Sequence, residues 1–251
     1  LEPNLNGFVG AVGYSPGAEK RAAVRLPGLP RLADCPALAG FRQVGGIEID
    51  PGYPLARGRI VATSERGRVD LGVTVSSDGA DLAHRYYLSL GTQHMSAHPV
   101  FGPGPAGLGE SSGEAAGAGR TRIIWVDGNH VFDLVGNDLP TATVEECAKW
   151  IGDVVRATAL PGAGVAGPEI QDLVVSTDSA QPGQSVTLRV VAGDRDRVFI
   201  DGDHPGLYLV EEGEREFAFK ARESSTNQVQ VFVVDPDSLF STKGEIAITV
   251  R

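Results

Sequence analysis

The last third of the chain carries a strand pattern that strongly restricts the possible folds. Apolar and polar residues alternate there in short segments, and this two-residue period places one face of a strand in a core and the other in water. Val186, Leu188 and Val190 share one side of their segment, as do Phe217 and Phe219 of another. The segments are 170–176, 185–191, 197–200, 207–210, 216–220, 228–234 and 245–250. Seven short strands separated by turn residues predict a β-sandwich.

Residues 168–251 also resemble bacterial immunoglobulin-like modules. The resemblance rests on Pro-Gly-Gln-Ser-Val-Thr-Leu at 182–188, Arg-Val-Phe-Ile-Asp-Gly at 197–202 and Ile-Ala-Ile-Thr-Val at 246–250. The cysteine and tryptophan pin of antibody domains is missing, since neither residue type occurs after Trp150. The resemblance implies a spacer, or a module that contacts protein or glycan, and it transfers no catalytic residues.

A stretch rich in Gly, Ala and Pro separates this region from the rest of the chain. Residues 160–168 read Leu-Pro-Gly-Ala-Gly-Val-Ala-Gly-Pro, without apolar periodicity, which is typical of a linker. Helical patterns occur only before it, and 251 residues suffice for two domains. We therefore expect an α+β domain at 1–160, a linker at 161–167 and an immunoglobulin-like sandwich at 168–251.

The first region contains the same order of elements twice. The predicted pairs of strands and the helices after them are 57–62, 69–75 and 78–90, then 120–125, 131–135 and 143–157. Asp127 and Gly128 between two apolar runs are a hairpin signal, and Val144, Cys147 and Ile151 lie on one stripe of the second helix. Two ββα units predict an α+β domain with an antiparallel sheet and both helices on one face.

Gly107-Leu108-Gly109-Glu110, followed by strand, Asp-Gly-Asn turn, strand and helix, resembles domains of exported actinobacterial lipoproteins of unknown function. This resemblance spans about 55–157 and implies a bacterial, extracellular, non-enzymatic domain of the binding type. We accordingly expect an extracellular or cell-envelope location, with a signal segment removed before Leu1.

Charge and hydropathy argue against two classes of partner. The net charge of −10 opposes binding to nucleic acid, which depends on basic side chains that meet phosphates. No apolar run approaches the roughly 20 residues that span a bilayer. We expect neither a nucleic-acid partner nor a transmembrane segment in this chain.

The segment 91–119 is the first candidate for a contact surface. It holds eight glycines and three prolines without apolar periodicity, and a long loop inside a compact domain is usually functional or disordered. We expect His94, His98 and Phe101 to make contacts. His94 and His98 have the spacing of two helical zinc ligands, but Pro99 follows at once. We favour loop histidines over a metal site.

Three further features bear on possible sites. Cys35 and Cys147 allow one disulfide in an exported chain, with two buried thiols as the alternative. One of Ile124 and Trp125 must point away from the core of a one-sided sheet, so Trp125 is a candidate contact residue. The acidic residues around the strand at 197–200 either bind calcium or form turns, and turns are the favoured interpretation. They are Asp194, Asp196, Asp201 and Asp203.

No motif of a catalytic nucleophile or a phosphate-binding loop stands in a suitable context. We therefore expect a non-catalytic binding or assembly protein without cofactor or metal, whose α+β domain contacts another protein or a surface glycan while the sandwich spaces or docks it. Two alternatives remain. One is an accessory subunit of a membrane-associated complex, docked through 91–119, and the other is a hydrolase with a non-standard site in the first domain.

Overall fold

The structure is a computed structural model that describes residues 2–15, 23–93, 100–161, 167–201 and 204–251. Within this part of the chain, most ordered elements are strands of antiparallel sheets, and three α-helices accompany them. The chain forms two compact units. The first unit comprises Leu1–Asp50, Leu55–Val165 and Asp237–Leu239, and the second comprises Pro51–Pro54, Ala166–Pro236 and Phe240–Arg251.

A seven-stranded sheet forms the centre of the first unit. The elements are α1 (Glu2–Val12), β1 (Val24–Arg25), β2 (Arg42–Asp50), β3 (Leu55–Ser64), β4 (Gly67–Ser76), α2 (Ala80–Gln93), β5 (Gly102–Pro103), β6 (Ser111–Gly117), β7 (Arg120–Asp127), β8 (His130–Asn137), α3 (Thr141–Thr158) and β9 (Leu160–Pro161). The sheet order is β2-β3-β4-β8-β7-β6-β5, and β1 pairs with β9 separately. Both predicted hairpins, and the helix after each, are therefore present.

One face of this sheet is apolar and packs against α3 and the segment before β2. Val73 and Leu134 are fully buried on this face. Gly136 lets α3 approach closely, because a Cβ there would lie 2.3 Å from Cγ2 of Val144. A Cβ at Gly58 would likewise lie 3.1 Å from Cδ1 of Leu29, so small residues accommodate both covering segments.

The opposite face is covered in part by α1 and α2. Phe8 and Tyr87 pack there against Ile124, Val126 and Val131. Helices α2 and α3 thus lie on opposite faces, and the expectation that both share one face is wrong. The physical reason is that β7 and β8 carry apolar side chains on both sides, so that each side requires a cover.

The expected loop at 91–119 contains a strand in its described part. Strand β6 pairs with β7 along its whole length, from Ser111 opposite Val126 to Gly117 opposite Arg120. Its small residues produce no apolar period, yet they are what the packing requires. A Cβ at Gly113 would lie 2.9 Å from Cγ1 of Val12 in α1.

The second unit is a β-sandwich. Its strands are β10 (Asp172–Val175), β11 (Ser179–Ala180), β12 (Ser185–Val191), β13 (Arg197–Ile200), β14 (Leu207–Glu212), β15 (Glu216–Ala221), β16 (Ser225–Val234) and β17 (Ser241–Val250). They form two four-stranded sheets, β10-β12-β15-β14 and β11-β17-β16-β13. Leu188 and Phe217 from the first sheet share one buried cluster with Val231 and Ile248 from the second. All seven predicted strands are present.

Candidate binding site on the open sheet face

The part of the sheet face that α1 and α2 leave open carries charged side chains in columns, one column for each strand. Acidic residues stand on β2, arginines on β3, aspartates on β4 and β8, and arginines again on β7. The residues are Glu48, Asp50, Arg57, Arg59, Asp70, Asp133, Arg120 and Arg122, and they line a groove of about 600 Å³. We call this set the charged face.

The strand register brings these residues together from distant parts of the chain. Arg59 lies opposite both Glu48 and Gly72, and Gly72 lies opposite Asp133. Directly opposed residues in an antiparallel sheet point to the same side. Residues two apart in a strand share a face. The pairs Arg57-x-Arg59 and Arg120-x-Arg122 therefore project from the same face of the sheet.

Asp133 holds Arg122 in a bidentate pair near the centre of the charged face. Arg122 Nε donates to Asp133 Oδ1 at 2.8 Å, and Arg122 Nη2 donates to Oδ2 at 2.8 Å. The two side chains are only 13% and 11% exposed, so this is the best shielded ion pair of the charged face. Paired parallel hydrogen bonds of this kind fix the orientation of both partners.

Asp70 is held by two arginines. Arg59 Nη2 donates to its Oδ1 at 2.6 Å, and Arg68 donates through Nε to Oδ2 at 2.7 Å and through Nη2 to Oδ1 at 2.8 Å. Partial burial acts to raise the pKa of Asp70, but the hydrogen bonds from Arg68 and Arg59 outweigh it and lower the pKa. Asp70 is therefore ionised at neutral pH and engaged by its neighbours.

Arg57 crosses the sheet above Gly72 and is less tightly held. A Cβ at Gly72 would lie 2.9 Å from Nη2 of Arg57 and 3.2 Å from its Nε. Its nearest carboxylate contact joins Nη2 to Oδ2 of Asp133 at 3.7 Å, which is too long for a hydrogen bond. The Arg57 side chain is 42% exposed, so its donors reach solvent.

The charged face has a net positive charge, whereas the whole chain has a net negative charge. With Arg68, five arginines stand there against four carboxylates, whereas the whole chain has a net charge of −10. Sequence analysis placed both arginine pairs on strands but did not recognise them as a site. The signal that could have identified them is the repeated Arg-x-Arg at the start of each hairpin.

Trp125 and Phe101, two of the expected contact residues, are buried instead. Trp125 is fully buried and stacks on Phe132 with ring centroids 4.8 Å apart, and Phe101 is 4% exposed and packs edge-on against Phe8. The expectation that they make surface contacts is wrong, because this part of the sheet is covered on both faces. His94 and His98 lie outside the described residues.

Cys35 and Cys147 are brought together as two buried free thiols. A hydrogen bond from Cys147 is the main cause that lowers the pKa of Cys35 to about 7, with further help from the backbone N–H groups of Ala37 and Leu38. The same hydrogen bond, together with burial, raises the pKa of Cys147. The segment around Cys35 thus lies against α3, and a disulfide between the two cysteines remains a proposal.

An arginine holds the turn of the second unit that carries two of the acidic residues. Arg215 donates from Nη1 to the carbonyl oxygen of Ala192 at 2.7 Å and from Nη2 to that of Gly193 at 2.6 Å. Asp194 and Asp196 lie in this turn, Asp201 follows the far end of β13, and Asp203 lies outside the described residues. Within the described ranges, no three His, Cys, Asp or Glu residues are placed to hold one metal ion.

A second polar cluster is buried between α2 and the turn before β6. Tyr14 Oη and His84 Nδ1 are 2.9 Å apart, and His84 Nε2 and Glu110 Oε2 are 2.7 Å apart. The His84 and Glu110 side chains are 2% and 1% exposed. Both ring nitrogens of His84 are engaged, and the cluster links α2 to Tyr14 and to the turn before β6.

No protein-family model matches the chain, and a search of curated proteins finds no match. No helix in the described part of the chain has both the length and the hydropathy needed to cross a membrane.

Solved structures give low-scoring similarities. The extracellular domain of PknH from Mycobacterium tuberculosis is 15% identical, with 62% of this chain and 92% of that chain covered and a TM-score of 0.30. Fibronectin(III)-like modules of CbhA from Clostridium thermocellum are 13% identical, with 84% and 94% covered and a TM-score of 0.26. At these scores the similarities support no functional argument.

Proposed function

We propose that the chain is a non-catalytic binding protein whose first unit contacts a partner through the charged face. The observation that carries the proposal is the groove of about 600 Å³ lined by four arginines and four carboxylates on an open sheet face. Ion pairs within the groove hold several of these side chains in defined orientations, which reduces the entropy lost when a partner binds.

The second unit acts in this proposal as an immunoglobulin-like spacer or docking module. Its strand order supports that assignment, because β10-β12-β15-β14 and β11-β17-β16-β13 correspond to the ABED and GFC sheets of constant-type immunoglobulin domains, with β11 as an added edge. The proposed extracellular or cell-envelope location rests on the sequence resemblances alone.

The test is site-specific photo-cross-linking in cells that express the chain natively. A photo-reactive amino acid replaces Asp50 at the rim of the charged face, and the matched control places it at Arg85 on α2, whose side chain is 72% exposed. We expect a discrete covalent adduct from position 50 and none from position 85. Adducts of equal yield at both positions, or none at position 50, would refute the proposal.

A further inference from the structure

We infer that the charged face binds carboxylate groups of a protein partner, and that Arg57 and Arg120 donate the hydrogen bonds to them. This inference rests on the proposed function and specifies the partner chemistry of the same site. It assigns roles to two arginines and to Gly72.

The arginines of the charged face differ in how far their N–H donors are already engaged. Arg59 and Arg68 donate to Asp70, and Arg122 donates to Asp133 with two hydrogen bonds. A guanidinium group has five N–H donors in a planar fork, which suits a carboxylate. In the engaged arginines, some of these N–H donors already bind Asp70 or Asp133, and those carboxylates fix the positions of the guanidinium groups.

The guanidinium groups of Arg57 and Arg120 have N–H donors that can bind a ligand. Arg57 has its closest carboxylate oxygen at 3.7 Å, beyond hydrogen-bond range. Arg120 is exposed, and within the described part of the chain its guanidinium makes no hydrogen bond or ion pair. These two arginines stand on β3 and β7, on either side of the β4 and β8 aspartates. Arg57 is level in register with Val131 of β8, whereas Arg120 is level with Asn137, six residues further along that strand. Each arginine would therefore bind a separate carboxylate of the partner.

Gly72 positions Arg57. Because a Cβ would lie 2.9 Å from Nη2 of Arg57, only glycine lets the guanidinium lie this close to β4. The side chain is thereby oriented along the groove before a ligand arrives, and such preorganisation reduces the cost of binding. Gly72 is thus a positioning residue, and replacing it should move the cation without removing its charge.

The distribution of charge favours a protein over a polyanion. Glu48 and Asp50 form an acidic column beside the arginines of β3, and this column would repel a nucleic acid or a sulfated glycan. A polypeptide surface can present acidic side chains to Arg57 and Arg120 and a basic side chain to β2. The groove is lined by charged, amide and aliphatic side chains.

The probe is a synthetic peptide in which pairs of glutamates alternate with pairs of lysines, labelled for fluorescence anisotropy and titrated at low salt. We expect Arg57→Gln to weaken its binding about tenfold, because the amide loses the charge-assisted hydrogen bonds that the guanidinium donates to a carboxylate. Arg57→Lys should recover only part of this loss, because an ammonium cannot form the bidentate fork. The matched control Arg85→Gln should bind like the unmodified chain.

Gly72→Ala should weaken binding while the net charge stays the same. If it fails to fold, as judged by tryptophan fluorescence, Arg57→Lys provides the corresponding test of orientation. Equal Kd values for the unmodified chain and Arg57→Gln, or no binding of the peptide, would overturn the inference. Tighter binding of a sulfated polysaccharide than of the peptide would overturn the choice of a protein partner. The cross-linking result at position 50 tests the proposed function independently of these outcomes.

Discussion

His130 provides a quantitative test of how burial controls the stability of the first unit. The side chain is fully buried on β8, beside Phe132, with ring centroids 6.1 Å apart and planes 16° apart. Within the described residues, neither ring nitrogen has a hydrogen-bond partner. Burial lowers the pKa of His130 to about 4, because a charged imidazolium would lose its hydration without compensation.

The sign and size of the effect follow from linkage. In the unfolded chain His130 has an ordinary pKa of about 6.5, so between that value and about 4 the unfolded state binds a proton that the folded state does not. The stability contribution is complete above about pH 6.5 and is lost as pH falls toward 4. A difference of about 2.5 pKa units corresponds to about 3 kcal/mol.

The experiment compares the unmodified chain with His130→Phe by urea unfolding at about pH 7.5 and about pH 4.5. Trp125 and Trp150 are the only tryptophans, and both lie in the first unit, so their fluorescence reports the unfolding of that unit. We expect the pH change to lower the free energy of unfolding by about 2–3 kcal/mol more in the unmodified chain than in His130→Phe. All other titrating groups are common to both proteins. Equal pH dependence in the two would refute the reasoning.

Two further outcomes follow from the buried groups. Glu110→Ala should lower the free energy of unfolding of the first unit by about 1–3 kcal/mol in tryptophan-monitored urea unfolding, because it leaves Nε2 of the buried His84 without its partner. An unchanged free energy of unfolding would contradict this role. Treatment with oxidised glutathione should join Cys35 to Cys147, with the loss of both titratable thiols under denaturing conditions and a stabilisation of at most about 4–5 kcal/mol for a loop of about 110 residues. Cys35→Ser is the control, and two titratable thiols after this treatment would argue against the disulfide.

Much of the secondary structure could be predicted because its signals are local. The alternation of Val186, Leu188 and Val190 marks β12, and the Asp127-Gly128 turn marks the hairpin of β7 and β8. The strand at 111–117 could not be predicted, since its Ser, Gly and Ala residues carry no periodic signal. Their small size matters only when α1 packs above them, and that contact joins positions about a hundred residues apart.

The candidate site was the least predictable feature. Arg57 and Arg59 are ordinary surface residues in sequence, and they become part of a groove only when β3, β4, β8 and β7 align in register. The burial of Trp125 shows the same limit. The expectation that it is exposed assumed a sheet with one buried face, whereas helices cover both faces of this sheet at that point.

The sequence by itself determined that the last third forms a β-sandwich and that two hairpin-helix units precede it, because alternation, turn residues and helical periodicity act over a few neighbouring positions. Only the tertiary structure decided that α2 and α3 lie on opposite faces, that Cys35 and Cys147 meet, and that arginines and carboxylates from five strands share one open face. These features depend on strand register and on packing between distant segments. No local pattern encodes these features, because each requires that strands and helices from distant parts of the chain are already packed together.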